Sequence, residues 1–340
     1  MRKSAAFLSM LVLALAFAGV GCPCIRGPVN SSEAVRWWLF SQFGAQKICP
    51  EMVKRGVPLK MGGATVGRFF PTQCNVQLSD PDHSMAVAIG GSGYAFLPLA
   101  RRVGFTATAR VEFRPDFRLE SDAMYVWGRF SRMIEGPTLK VTGVENGLVN
   151  LAFRTPLGDV ATVIGQGIAQ SEISRGFTVV RGDDGDEFAL GILTPPEKPS
   201  RMFVVGDGNK LVGADTVDIH ASEREYLGPF EITDKGQGLF VKTRSSGAPL
   251  SALLVDKMLG DAWRQPYENG QPLAGPPGPP IASGALAPGD ATQFFPLPPG
   301  LYYVVIENRA TMPQIPFGLP LPVSEPVGSL TWSVEVGDKP

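Results

Sequence analysis

The sequence predicts a mainly β fold with two helices (α+β): an antiparallel sheet packed on amphipathic helices, followed by a C-terminal β-sandwich. Three observations carry this. Phe105, Ala107, Ala109, Val111 and Phe113 alternate with Thr106, Thr108, Arg110 and Glu112, the period of a strand with one face on a core and one in water. The 40 Gly and 31 Pro are scattered among apolar runs, which fits many turns between short strands. Only two stretches, after Asn30 and after Thr155, carry helix-start signals and a helical period.

The first element is an export signal. Met1–Ser4 is short and basic, Ala5–Ala18 is apolar, and Gly19-Val20-Gly21-Cys22 follows at once. This order marks 1–21 as a secretory signal peptide and 22–29 as a tether. The apolar run is shorter than the about 20 residues a spanning helix needs. Gly19–Cys22 resembles the lipobox of bacterial lipoproteins, although Gly19 stands where that family usually has Leu. The resemblance implies a diacylated Cys22 as the new N-terminus. Pro23, in place of an Asp retention signal, implies the outer membrane. Ala16-Phe17-Ala18 is a rival exit for the ordinary signal peptidase, and cutting there leaves a soluble periplasmic or secreted chain.

Composition fits an exported protein. The four cysteines are Cys22, Cys24, Cys49 and Cys74. Cys49 and Cys74 flank a turn-rich segment with Pro50, Gly56, Pro58, Gly62 and Gly63, so an oxidising compartment is expected to join them. Cys22-Pro23-Cys24 has the wrong spacing for a zinc knuckle, and no metal or cofactor site is assigned. Acylation of Cys22 leaves Cys24 without an obvious partner; the Ala18 exit leaves room for two disulfides. A net charge of −1 without a basic stripe excludes a nucleic-acid partner. At 340 residues more than one domain is expected. The boundary falls at the Pro-rich stretch Thr194–Pro199, which separates an α+β domain (30–195) from a β-sandwich domain (200–340).

Within the first domain, Asn30 and Glu33 are spaced as a capping box. Val35, Trp38, Leu39 and Gln42 share one side of the helix that follows, with Trp37, Phe40 and Phe43 widening its apolar face. A core helix packed on a sheet is the reading adopted, over one lying on a membrane surface. After the alternating strand, Pro115-Asp116 marks a turn. Met124, Val126 and Phe130 share a face, and Tyr125 and Trp127 point to the other. Leu139, Val141 and Leu148–Phe153 supply further strands. Thr155 and Pro156 then open a helix in which Leu157, Val160, Ala161, Ile164 and Ile168 follow the i, i+3, i+4, i+7 rule. Gly176 closes it. Phe177–Arg181 and Glu187–Leu193 form a hairpin. Beyond the linker, strands are expected at Met202–Val205, Leu211–Val212, Val217–His220, Phe230–Thr233, Leu239–Thr243, Leu253–Asp256, Leu301–Asn308 and Leu330–Val336. No helix is expected among them, which is the pattern of a sandwich.

The stretch Phe153–Leu193, a late amphipathic helix followed by a hairpin, gives residues 30–195 a layout that resembles small periplasmic lipoproteins of the tubular lipid-binding type. That resemblance implies an apolar space between helix and sheet, with Leu157, Val160, Ile164 and Ile168 as ligand contacts. Pro299-Gly300-Leu301-Tyr302-Tyr303-Val304 turns into a strand in a way similar to the non-catalytic sandwich modules of secreted bacterial proteins.

Motifs that carry chemistry are scarce. His83 lies in a polar turn, and His220 ends a strand beside Glu223 and Glu225, where a metal pair or general base is the sharper alternative. Gly90–Tyr94 lacks the last Gly of a nucleophile elbow and is expected to be a loop. Gly206–Lys210 lacks P-loop spacing and is expected to be a turn. Asp183–Glu187 is an acidic turn with a carboxylate count that suits Ca²⁺ but a misplaced Gly; Arg181-Gly182-Asp183 falls in the same hairpin. The expected function is a lipid-anchored, non-enzymatic envelope protein. Its partners are the membrane, through acyl chains, and a hydrophobic small molecule or an envelope protein. A structural or adhesive surface module and an enzyme without a motif are the alternatives.

Overall fold

The computed structural model describes residues 23–61, 64–97, 100–145, 170–199, 201–310 and 325–339. The chain enters through α1 (Pro23–Ser31), α2 (Glu33–Leu39), a π-turn over Phe40–Gly44, and α3 (Ala45–Lys54). The α2 cap is Ser32, whose hydroxyl accepts from the Val35 amide, so the expected Asn30/Glu33 box is not used. Asn30 instead bonds both backbone groups of Leu119, at 2.8 and 3.0 Å. Trp37, Phe40 and Ala45 face the core, while Val35 and Trp38 are exposed. The apolar stripe is therefore rotated from the expected one, because Trp37 gains both burial and a partner, its indole donating to Asp80.

Seven strands follow as an antiparallel meander: β1 (Val57–Met61), β2 (Ala64–Ser79), β3 (Ser84–Leu97), β4 (Arg101–Leu119), β5 (Ala123–Val144), β6 (Phe177–Gly182) and β7 (Gly185–Leu190). The predicted alternation appears in β4. Phe105, Val111 and Phe113 are buried, and Thr106 and Thr108 are exposed. The turn expected at Pro115-Asp116 is absent. β3 pairs with β4 only as far as Phe113, so Pro115 occupies a strand edge where its missing N–H is harmless. In β5 the face carrying Tyr125 and Trp127 is the buried one, packed with Val180. Leu139 and Val141 belong to the same long strand. The region 146–169 lies outside the described residues, and with it the Leu148–Phe153 strand and most of the second helix. A helical turn at 170–174 is present, and Gly176, with φ of +68°, ends it as expected.

The second half contributes β8 (Lys210–Ile219), β9 (Glu223–Ile232), β10 (Gln237–Gly247), β11 (Leu250–Asp256), β12 (Ala282–Leu286), β13 (Gly289–Pro296), β14 (Gly300–Asn308) and β15 (Gly328–Asp338). A helix not among the expected elements, α4 (Lys257–Glu268), follows β11, with the Asp256 side chain capping the Leu259 amide at 2.8 Å. One sheet has the order β1-β2-β3-β4-β5-β6-β7-β8-β15-β10-β13, and the other β12-β11-β14-β9. The larger sheet runs through the expected boundary at 195–200. β8 joins both halves, meeting β7 at Leu211 and β2 at Val217. Ile219, Leu239, Leu330 and Val334 of the larger sheet share a core with Leu227, Leu254 and Ile306 of the smaller.

The expected Cys49–Cys74 disulfide is present, with Cα atoms 5.3 Å apart, and it ties α3 to β2. The closed loop has a sequence separation of 25, for which chain entropy predicts about 3 kcal/mol of stabilisation. The Cys49→Ser/Cys74→Ser double variant should lose about that much in urea denaturation. An unchanged midpoint would show that helix packing alone holds α3 in place.

Candidate functional site

Two regions gather the side chains with functional potential. The first is the apolar layer between the N-terminal helices and the long strands. Trp37 and Phe40 meet Met85, Val87, Val111 and Phe113. Around them lies a fringe of half-buried apolar groups that includes Ile48, Met52, Phe130, Met133, Ile173 and Phe177. This fringe draws on both layers and reaches the helical turn at 170–174.

The second region is a charged and aromatic junction where β2 and β3 meet β9 and α4. Arg68 of β2 donates to Glu225 Oε1 of β9 at 2.7 Å, and both side chains are under 5 % exposed. The Tyr94 hydroxyl of β3 donates to Glu225 Oε2 at 2.8 Å and accepts from the Tyr226 amide at 3.0 Å. Next to this, Arg224 pairs with Glu307, and Arg264 with Glu268. The guanidinium groups stack on rings: Arg224 over Trp263 at 3.9 Å, Arg264 over Phe70 at 3.8 Å, and Arg102 over Tyr267 at 3.9 Å. α4 fits closely because Gly104 and Gly143 face each other across β4 and β5. A methyl group on Gly104 would overlap the Glu268 carbonyl, and one on Gly143 would overlap the backbone of Asn269.

Beside this junction, His220, Glu223, Glu225 and Phe96 line a cavity of about 80 Å³. The His220 ring stacks on Phe96 at 3.9 Å, and its Nδ1 lies 3.1 Å from Glu325. Glu223 accepts from the His220 amide at 2.6 Å. Burial pushes the Glu223 carboxyl from its ordinary 4.5 up to about 8, with the Glu225 and Glu145 charges adding to burial, and the His220 amide and Arg102 opposing it. Burial also raises the hydroxyls of Tyr94, Tyr226, Tyr267 and Tyr303. The cluster therefore combines a neutral acid, a paired carboxylate and an imidazole, an acid–base set around room for a few waters.

Of the residues singled out from the sequence, His220, Glu223 and Glu225 come together at this cavity; the others fall elsewhere or acquire other partners. Cys22, Leu157, Val160, Ile164 and Ile168 lie outside the described residues. His83 stacks on Trp37 and faces Glu33 at 3.2 Å. In the acidic turn, Asp184 and Glu187 hold Arg201, and Asp186 holds Arg181. Among the described residues no three His, Cys, Asp or Glu converge as metal ligands. Gly90–Tyr94 is not a loop but part of β3, where Cβ atoms on Gly91 and Gly93 would crowd the Phe70 and Arg68 carbonyls of β2. The Gly206–Lys210 turn is held by buried Glu335, which accepts from the Gly206 amide at 3.0 Å and from Asn209 at 2.9 Å. Glu225 was named from the sequence, but its partner Arg68 was not, because nothing local links β2 to β9. Arg264 and Glu268 were missed with α4, although Asp256 followed by Leu259, Trp263 and Tyr267 at i, i+4, i+8 spacing was a usable signal.

No protein-family model matches the chain, and no curated protein matches it.

Truncating one member of the buried Arg68–Glu225 pair strands the other, so Arg68→Ala should cost about 3–5 kcal/mol in urea denaturation. Arg68→Met/Glu225→Leu together should recover much of that loss. Equal losses in single and double variants would mean that packing, rather than pairing, is what counts. Glu223 gives a pH test. Its folded-state value is raised, so its contribution is full below 4.5 and is lost as pH rises through about 8. Glu223→Gln should flatten the fall in melting temperature across that window; identical slopes would refute the assignment.

Proposed function

We propose that the protein is a non-enzymatic, lipid-anchored component of the bacterial cell envelope that binds a hydrophobic ligand between its N-terminal helices and long strands. The observation that carries this is the half-buried apolar fringe around Trp37, Phe40, Val87 and Val111. Apolar groups left partly uncovered by both layers gain about 25 cal/mol per Å² when a greasy ligand covers them. The anchor reading rests on the signal-like Met1–Ala18 and on Cys22, which directly precedes α1. Acyl chains there would hold the helices and the apolar layer close to the membrane, at the outer membrane facing the periplasm or the surface. The second half is read as a β-sandwich module, supported by the apolar core its two sheets share. A non-enzymatic role is supported by the state of the converging titratable groups. They are spent on one another around a cavity of about 80 Å³, too small for a metabolite-sized substrate.

Mass spectrometry of protein purified from membranes tests both halves of this reading. The denatured chain should begin at a diacylated Cys22, and the native chain should carry an additional lipid-sized mass that solvent extraction removes. A chain starting at Gly19 would refute the anchor. An unloaded native mass, together with no binding of a fluorescent fatty acid, would refute the ligand.

A further inference from the structure

On the opposite flank of the junction, Ser222, Arg224, Ala274, Gly275, Glu307 and Arg309 surround an open cavity of about 250 Å³. Glu307 is completely buried, yet two arginines share its carboxylate. Arg224 occupies Oε1 from within the core, and Arg309 occupies Oε2 through Nε at 2.7 Å and Nη2 at 2.6 Å. Two guanidinium groups on one carboxylate leave one net positive charge on the wall of the cavity.

The surplus charge is pre-positioned. Arg309 is 62 % exposed, but its fork is held at two points by a carboxylate that cannot move. Arg224 is fixed on its other sides by the Ala274 carbonyl at 2.7 Å and the Tyr226 hydroxyl at 3.2 Å. An incoming anion therefore meets an ordered donor and avoids much of the usual cost of immobilising a long side chain. Ser222 sits in a turn at a backbone φ of +58°, its amide and hydroxyl both directed to the Ala310 carbonyl at 3.1 and 3.4 Å, and it lines the same wall.

We infer that this cavity is a binding site for a phosphate-type anionic group, held by the outward donors of Arg309. Guanidinium matches tetrahedral oxyanions through paired N–H donors. The chemistry is shared by a free phosphate and by a phospholipid headgroup.

Isothermal titration calorimetry of the full mature chain with inorganic phosphate at low ionic strength tests this. One saturable site is expected, weakened roughly tenfold or more by Arg309→Ala. Arg244→Ala, which removes an exposed arginine paired with Asp290, should leave the affinity unchanged. Circular dichroism checks that both variants stay folded. Stronger displacement of bound phosphate by short-chain phosphatidic acid than by glycerol phosphate assigns the site to a lipid headgroup. Equal displacement assigns it to soluble phosphate. Absence of saturable binding to the wild type, or equal affinity in wild type and Arg309→Ala, overturns the inference.

Discussion

Taking a charged side chain out of water costs several kcal/mol even after the protein relaxes around it, and only a well-placed partner offsets that cost. At the junction of β2, β3, β9 and α4 the chain does this three times within one cluster. Arg68–Glu225 spans the two sheets, Arg224–Glu307 bridges β9 and β14, and Arg264–Glu268 runs along α4. Of these three pairs Arg68–Glu225 alone joins the two sheets, so separating them would leave a charge unpaired on each side of the interface. The aromatic rings of Tyr94, Tyr226, Trp263 and Tyr267 close around these ions and exclude water from them. This makes the pairs stronger and the penalty for breaking any one of them larger.

The rest of the architecture is arranged around that cluster. The long strands β2–β5 extend from it in one direction and meet α2 and α3 at their far ends, where the disulfide holds α3 down. The facing pair Gly104 and Gly143 lets the end of α4 rest directly on the sheet backbone. The two ends of the sheet thus differ in kind. One is sealed by ions and rings in fixed geometry. The other is an apolar layer with half-covered side chains, which depends on non-directional burial and tolerates a change of contents. A binding role at the second end is compatible with rigidity at the first.

Much of the fold was legible because its signals are local. The alternation from Phe105 to Phe113 records a strand with one wet face, and the hairpin after Gly176 follows from turn residues flanked by apolar runs. Legibility failed where tertiary context overrode the local signal. Pro115 looked like a turn but sits on an unpaired strand edge. α4 was obscured because Gly260 and Pro266 interrupt it, and because its buried face mixes Arg264 and Glu268 with Trp263 and Tyr267. Gly260 is needed there, since a Cβ would overlap the Tyr303 ring. Val35 and Trp38 face outward because Trp37 has a hydrogen-bond partner, Asp80, in the turn between β2 and β3.

By itself the sequence determined the β-rich class, the pairing of Cys49 with Cys74 and the turn chemistry at Gly176, since strand period, cysteine context and backbone preference act over short range. Tertiary structure alone decided that one sheet runs through the expected boundary, that α4 docks on Gly104 and Gly143, and that Arg68 meets Glu225 across 157 positions of chain. The physical reason is that periodicity reports which face of an element avoids water, whereas the partner of a buried charge is chosen by the desolvation cost of the assembled interior.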